Sequence, residues 1–454
     1  MRNALLAAIV ITSCASTAQM RASGSGIFAG DSPAVLTVTA PLSDLFTQAK
    51  SDSDYKVRGQ LTWSDGGSSP VTIDGVIFSE RGHTSRQTSE CAFPKLKVDL
   101  SSARRSGTPF DGLKGFKLGT HCGERGDDEL TPRYGRLTNQ RAPLREAMVY
   151  RMLHAAGIPT LLARPARVTY VDADAPGREP LTRFALLLED DEEARGRLEA
   201  SGQIDEDGFG SARETFDPAD TARLAFAQAM LGNFDWCMRM FRGDIYRCDD
   251  RHPLWNVLAF ERRGRKAIPL AYDFDLSGPV VGRHVWFRQV FSADYAEPPS
   301  VVSVEVQGQV QRTRSLFERP VLDDTRAYFL TVRSKIMEAI GRSSADSRGQ
   351  ELAREYVDAF YDAIGTNARF YGPVVLESGH EASLAVDGSQ PACGDRTTVP
   401  VGTPVSTPIE VDGALVRVRV LDALWEWTGD NRCDAVHRQP VWIPREAIGT
   451  DYPR

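Results

Sequence analysis

Four oxygen-bearing side chains, Asp235, Asn256, Asp273 and Asp275, fall at the ends of regular elements within residues 228–278. A helix-like run ends at Gly232, and the loop after it carries Asn233 and Asp235. Asn256 precedes a strand, a turn and a second strand, which ends in Asp273-Phe-Asp275. Loops at element ends are where binding groups collect. Aspartate and asparagine oxygens are hard ligands that suit Mg²⁺ or Mn²⁺ carried with phosphate oxygens. Phosphoryl transfer uses such a set: a loop Asp orients or deprotonates the attacking hydroxyl, and an Asn and a second Asp hold the metal. On that chemistry Asp235 is the catalytic candidate, and Asn256, Asp273 and Asp275 are the metal-ligand candidates. The same residue types also serve as turn residues and helix caps, and spacing alone leaves that alternative open.

The order loop, hairpin, Asp is that of the protein-kinase catalytic core. There the Asp and Asn stand about five residues apart, whereas Asn256 follows Asp235 by 21 residues. The extra length contains Cys237 and Cys248, which suggests an inserted loop closed by a disulfide. Closing a loop of that size is worth about 3 kcal/mol in the chain-entropy model. Other motifs are missing: there is no GxxxxGK[ST], HExxH, GxSxG or EF-hand loop. The glycines of GSGIFAG near the start are wrongly spaced for a dinucleotide fingerprint.

The elements that must position these residues follow from periodicity. Stretches 34–38, 57–63, 71–78 and 115–119 read as strands separated by turns. Apolar residues at 144, 148, 149, 152 and 153 have helical spacing, closed by Gly157. Residues 168–171 and 184–188 read as strands, and 189–216 as an acidic loop region with some helix. Residues 221–231 read as a helix, 257–260 and 267–272 as paired strands, and 321–341 and 347–364 as amphipathic helices. The tail from about 378 returns to β-like alternation, with Trp425 and Trp427 close together. The chain has 454 residues, 41% of them hydrophobic and 25% charged, which is an ordinary globular balance. Lys and Arg number 54 against 61 Asp and Glu, a net charge of −7 that argues against nucleic acid as a partner. Beyond the N-terminus, no apolar run approaches the ~20 residues of a membrane span. The fold class is therefore α+β with an appended small β domain.

At the level of motifs the chain resembles the spore-coat-protein-H (CotH) kinase-like family of secreted, divergent kinases. The matching segments are Arg81-Gly-His-Thr-Ser-Arg86, Phe116-Lys-Leu-Gly-Thr-His-Cys122 and Leu144-Arg-Glu146. Three more are residues 184–189, Gly232-Asn-Phe-Asp-Trp236 and Tyr272-Asp-Phe-Asp-Leu-Ser-Gly278. The resemblance spans roughly residues 70 to 340. It implies a two-lobed kinase-like fold, with a β-rich lobe over 30–190 and a mainly helical lobe over 191–370. It also implies ATP- and Mg²⁺- or Mn²⁺-dependent phosphorylation of Ser or Thr in a secreted or envelope protein. By motif, Lys117 would contact the nucleotide phosphates, Glu146 would pair with Lys117, and Glu189 would stand at the hinge beside adenine. The family usually has His before the metal-binding Asn, where this chain has Trp255. That departure, with the inserted loop, keeps a binding-only pseudokinase scaffold as the alternative.

Residues 1–20 have the charged start, apolar stretch and small-residue end of a secretory signal, with a lipobox-like Cys14. The implied location is the bacterial periplasm or outer envelope, with a lipid anchor if Cys14 is modified. Six further cysteines in an exported chain read as disulfides, with 15 connectivities open. Proximity favours Cys91 with Cys122, Cys237 with Cys248 and Cys393 with Cys433. His121 beside Cys122 reads as a structural histidine, and Trp236, Trp255 and Trp286 as core or lid aromatics. Residues 378–454 resemble small bacterial SH3-like barrels, modules that bind peptides or peptidoglycan.

Overall fold

Period-two alternation in the first part of the chain produces a closed sheet. The computed structural model describes residues 26–64, 69–241, 248, 251–282, 301–314 and 316–371, and short stretches at 374–375, 380–381, 398–399, 405, 408–418 and 441–449. Its first seven strands are β1 (Ala34–Ala40), β2 (Lys56–Trp63), β3 (Val71–Arg81), β4 (Lys95–Asp99), β5 (Gly115–Gly119), β6 (Ala163–Asp172) and β7 (Leu181–Glu189). They form a seven-stranded barrel in the order β1-β2-β3-β4-β5-β7-β6. Neighbours are antiparallel except β1 and β6, which pair parallel and close the ring. Closure leaves no edge strand to pair with another chain. β1 buries every second side chain, and Leu36, Leu61, Phe78, Val98 and Phe116 lie in the cluster that fills the barrel. Helix α1 (Leu42–Gln48) adds Leu42 and Leu45 to it. Gly59 of β2 stands at a register shift, opposite a bulge that leaves Gly75 of β3 unpaired, and a Cβ on Gly59 would lie 2.3 Å from the Thr39 carbonyl oxygen.

A second apolar cluster gathers the helices. These are α2 (Ala142–Ala155), α3 (Asp191–Arg197), α4 (Ala212–Thr215), α5 (Pro218–Met230), α6 (Gly278–Val281), α7 (Val301–Arg314), α8 (Arg319–Arg342), α9 (Ser347–Ile364) and α10 (Asn367–Tyr371). Two starts are plain in the sequence. Asp217 caps α5 by accepting from the Ala219 N–H, with Pro218 in the first turn. Asp346 caps α9 by accepting from the Gly349 N–H. Helix α2 lies between β5 and β6 in the chain and is buried along most of its length. Short strands β8 (Gly202–Ile204), β9 (Cys237–Met238), β10 (Leu254–Trp255), β11 (Val257–Arg262) and β12 (Arg265–Ala271) lie against these helices, with β12-β11-β8 forming one sheet and β9 pairing with β10.

The fold is thus mixed α+β, and most expected elements are present within a few residues. Several elements have no counterpart in the sequence reading, among them α1, α6, β4 and α7. β4 alternates over only five residues, too short a signal to stand out. The start of α7, Val301-Val-Ser-Val-Glu-Val, is rich in β-branched residues, yet packing of Val302, Val306 and Val310 makes it a helix. Within the expected acidic loop, Asp190 caps the short α3.

In the C-terminal stretch, β13 (Val374–Val375) pairs with β19 (Ile448–Gly449), and β14 (His380–Glu381) with β15 (Thr398–Val399). There β16 (Glu410–Asp412), β17 (Leu415–Val418) and β18 (Val441–Pro444) form an antiparallel sheet. The signal segment with Cys14, the Cys393 and Cys433 pair, Trp286, Trp425 and Trp427 lie outside the described residues. Disulfides join Cys91 to Cys122 and Cys237 to Cys248, as proximity suggested. Both are compatible with an exported chain. No helix among the described residues is long and apolar enough to cross a membrane.

Candidate active site

The separation between Asp235 and Asn256 is closed by a two-stranded ladder. Met238 of β9 faces Leu254 of β10, and Cys237 faces Trp255. Asn256 Nδ2 then donates to the Asp235 carbonyl oxygen at 2.6 Å and to its carboxylate Oδ2 at 3.0 Å. Trp255 Nε1 donates to Asp235 Oδ1 at 2.9 Å. The Asn233 side chain accepts from the Asp235 N–H at 3.0 Å and donates to Gln228 Oε1 on α5 at 2.9 Å. Both carboxylate oxygens and the backbone of Asp235 are therefore fixed. Burial, reinforced by Asp273 and Asp275, raises its carboxyl to about 6.

The β11–β12 hairpin brings Asp273 to the same place. Tyr272 N–H donates to the Asn256 carbonyl at 3.1 Å. Asn256 and Asp273 have φ of +55° and +57°, and the one other such non-glycine among the described residues is Glu199. Asn and Asp tolerate this left-handed backbone better than other side chains. Strain of about 1–3 kcal/mol per residue persists only where the surroundings impose it, and it concentrates at functional sites. Tyr150 on α2 accepts from the Asp273 N–H at 2.9 Å, and its ring meets Phe274 edge-on at 4.9 Å.

Two cations complete the cluster. Lys95 Nζ on β4 donates to Asp273 Oδ1 and to Asp275 Oδ2, each at 2.9 Å. Arg136, in the segment between β5 and α2, donates to Asp275 Oδ2 and to Thr84 Oγ1. Burial works against the Lys95 charge, but Asp273, Asp275 and Glu146 outweigh it and raise its pKa. Burial likewise opposes the Asp275 charge, and Arg136 and Lys95 overcome it, holding that carboxyl well below the usual range. Glu146 on α2 is 6% exposed and makes no ion pair with Lys95. Burial pushes its carboxyl up, and Lys95 only partly offsets this.

Asp235, Asn256, Asp273, Asp275 and Glu146 thus come together, and two other expected residues stand elsewhere. Lys117 lies on β5 opposite Lys97, and its Nζ bonds Asp191 at the start of α3. The lysine beside Glu146 is Lys95, one strand over. Glu189 is 3% exposed, and its carboxylate binds Arg197 at 2.8 and 2.7 Å and accepts from the Leu162 N–H at 3.0 Å. It fastens β7 to α3 and the start of β6, with both oxygens already engaged. Lys95 and Arg136 were not singled out by the sequence. The signal for Lys95 was the alternation of Lys95-Leu-Lys-Val-Asp99, which faces Leu96 and Val98 into the barrel and the lysines outward. Arg136 sits in irregular backbone, where no periodicity marks it.

Among the described residues no three His, Cys, Asp or Glu side chains form a ready metal cage. The oxygens nevertheless fit a Mg²⁺ or Mn²⁺ that shares its shell with phosphates and water. Asp275 Oδ1 is buried without any hydrogen-bond partner, and Mg²⁺ commonly takes only one or two protein carboxylates.

No protein-family profile matches the chain, and no curated protein matches it. Among solved structures it is similar to the crystal structure of a Helicobacter pylori proinflammatory kinase, CtkA. That similarity has a TM-score of 0.29 and 9% identity, and covers 59% of this chain and 90% of that one. A likeness at that score carries no weight on activity.

Proposed function

We propose that this chain is an ATP-dependent phosphotransferase of two-lobed, kinase-like build that modifies Ser or Thr of an exported or envelope protein. One observation carries the reading. A buried Asp235, both of whose carboxylate oxygens are held, stands beside Asn256, Asp273 and Asp275, with a buried lysine bridging the last two. Asp235, at about 6, is mostly ionised at neutral pH and can accept the proton of an attacking hydroxyl. That hydroxyl oxygen would bond to the transferred phosphorus, and ADP would leave with the electrons of the broken bond. Asn256 orients Asp235 through two hydrogen bonds. Asn256, Asp273 and Asp275 would hold Mg²⁺ or Mn²⁺, which neutralises charge on the phosphates. Lys95 takes the nucleotide-phosphate role that the family resemblance gave to Lys117. Glu146 lies where it could receive the Lys95 ammonium when the aspartates turn to metal. The C-terminal segment would serve as a small SH3-like module that contacts peptide or peptidoglycan.

One observation favours a second reading, a pseudokinase scaffold in the envelope: Asp273 and Asp275 have cationic partners within the chain itself, Lys95 and Arg136. Thermal unfolding with Mg²⁺ or Mn²⁺ and ATP separates the two. A metal-dependent rise that Asp273→Ala abolishes supports the enzyme. Unchanged unfolding at millimolar ATP leaves the scaffold.

A further inference from the structure

Asp275 has one saturated oxygen and one bare one. Oδ2 takes both Lys95 and Arg136, while Oδ1 is buried with no partner. The Arg136 guanidinium shows the matching lack: its Nη atoms are bonded to Asp275 and Thr84, but its buried Nε–H donates to nothing. Its side chain is 8% exposed, so bulk water does not make good the loss. Leaving a buried donor or acceptor unmade is costly, and where native structures do so a functional role, strain, or a bound water or ion accounts for it. A cavity of about 20 Å³ touches Lys95, Arg136, Glu146 and Asp275. That is room for about one water or one small cation.

The segment carrying Arg136 is held at several points. The Thr131 N–H donates to the Arg136 carbonyl at 2.8 Å, and the Arg136 N–H donates to Thr131 Oγ1 at 3.0 Å. Thr131 Oγ1 in turn donates to the buried carboxylate of Glu90 at 2.7 Å. Glu90 adjoins Cys91, whose disulfide to Cys122 ties the start of this segment to the chain before β4. An arginine whose only task was to neutralise Asp275 would duplicate Lys95 and would not need its third donor left open.

We propose that Arg136 is a second phosphate-binding cation of this site, held on Asp275 until a divalent metal takes that carboxylate and then donating to the nucleotide's phosphates. The inference rests on the phosphotransferase reading. Guanidinium is suited to the task because it offers several donors in a fixed fork that matches phosphate oxygens.

The test compares wild type, Arg136→Gln and Arg136→Lys, with two readouts that a merely structural arginine would not move in opposite directions. Free Mn²⁺ is followed by electron paramagnetic resonance in the absence of nucleotide. Binding of Mn²⁺ with ATP, ADP or adenosine is followed by calorimetry. Removing the cation that competes for Asp275 should tighten Mn²⁺ binding in Arg136→Gln severalfold. The same variant should bind Mn²⁺ with ATP about tenfold or more weakly, the loss of one charge-assisted hydrogen bond, and bind adenosine unchanged. Arg136→Lys should fall between. If Arg136→Gln keeps its ATP affinity while wild type binds Mn²⁺ and ATP, the proposal fails and the phosphotransferase reading stands. If adenosine and ATP affinities fall together, Arg136 is structural and the proposal also fails. If wild type binds neither metal nor nucleotide, both readings fall.

Discussion

Replacing each of two lysines separates the residue the motif resemblance chose from the one the fold chose. Lys95→Met removes a buried ammonium that donates two 2.9 Å bonds, to Asp273 and Asp275. Lys117→Met removes one bonded to Asp191. A hydrogen bond to a charged group is worth about 1.5–3 kcal/mol, which is roughly 10- to 150-fold in a dissociation constant. With ATP and Mg²⁺ at 100 times the wild-type Kd, binding adds about 2.7 kcal/mol to stability. In Lys95→Met that gain should fall to about 1.4 kcal/mol for a tenfold loss and about 0.3 kcal/mol for a 150-fold loss. In Lys117→Met it should stay near 2.7 kcal/mol. Each protein is unfolded in urea with and without ligand and compared with its own ligand-free baseline, because losing either lysine also strips a carboxylate of its partner. The opposite pattern, with Lys117→Met losing the gain and Lys95→Met keeping it, would refute the assignment.

Other consequences concern the frame around the site. Arg145 on α2 is 1% exposed and bonds Asp346 at 3.0 and 2.9 Å and Asp128 at two distances of 2.9 Å. Arg145→Met strands these carboxylates and should cost about 3 kcal/mol in urea unfolding; a loss under about 1 kcal/mol would show that the network is not holding α2. Cys237→Ser should lower stability by about 3 kcal/mol through loop closure. It should also weaken metal-dependent nucleotide binding, because the disulfide anchors the ladder joining Asp235 to Asn256; nucleotide affinity equal to wild type would break that link. His121 is buried, with Nδ1 unpartnered and Nε2 2.9 Å from Glu124, and burial lowers its pKa. The unfolded chain then binds the extra proton first, so stability should fall as pH drops below the unfolded histidine value of about 6.5, by at most about 1.4 kcal/mol per pH unit. His121→Gln should flatten that slope, and an unaltered slope would assign it to other groups.

What the sequence disclosed about this site follows from how far each signal reaches along the chain. Asp235, Asn256, Asp273 and Asp275 were legible because each stands where a local pattern ends, and loop-end acids need no partner to be noticed. Asn256 was harder to place, since 21 residues separate it from Asp235, and only the β9–β10 ladder shows that the interval loops out and returns. The disulfides Cys91–Cys122 and Cys237–Cys248 were legible for a similar reason, as near neighbours among few cysteines.

Which lysine meets the aspartates could not be read from the sequence, because strand alternation gives a face but not a direction across the barrel. Lys95, Lys97 and Lys117 all project from the outer side of β4 and β5, and Lys97 is directly opposite Lys117 in register. Nothing within either strand says which end of that row meets the loop after β12. The barrel order decides it: β4 lies between β3 and β5, and the start of β4 is what reaches Asp273 and Asp275. Lys97 and Lys117 lie further along that row, and they meet Asp190 and Asp191 instead. Three lysines of like chemistry on one face are therefore sorted by the acids that other elements bring to them. A motif that matches a lysine by its strand alone can land one strand away from the residue that meets the aspartates.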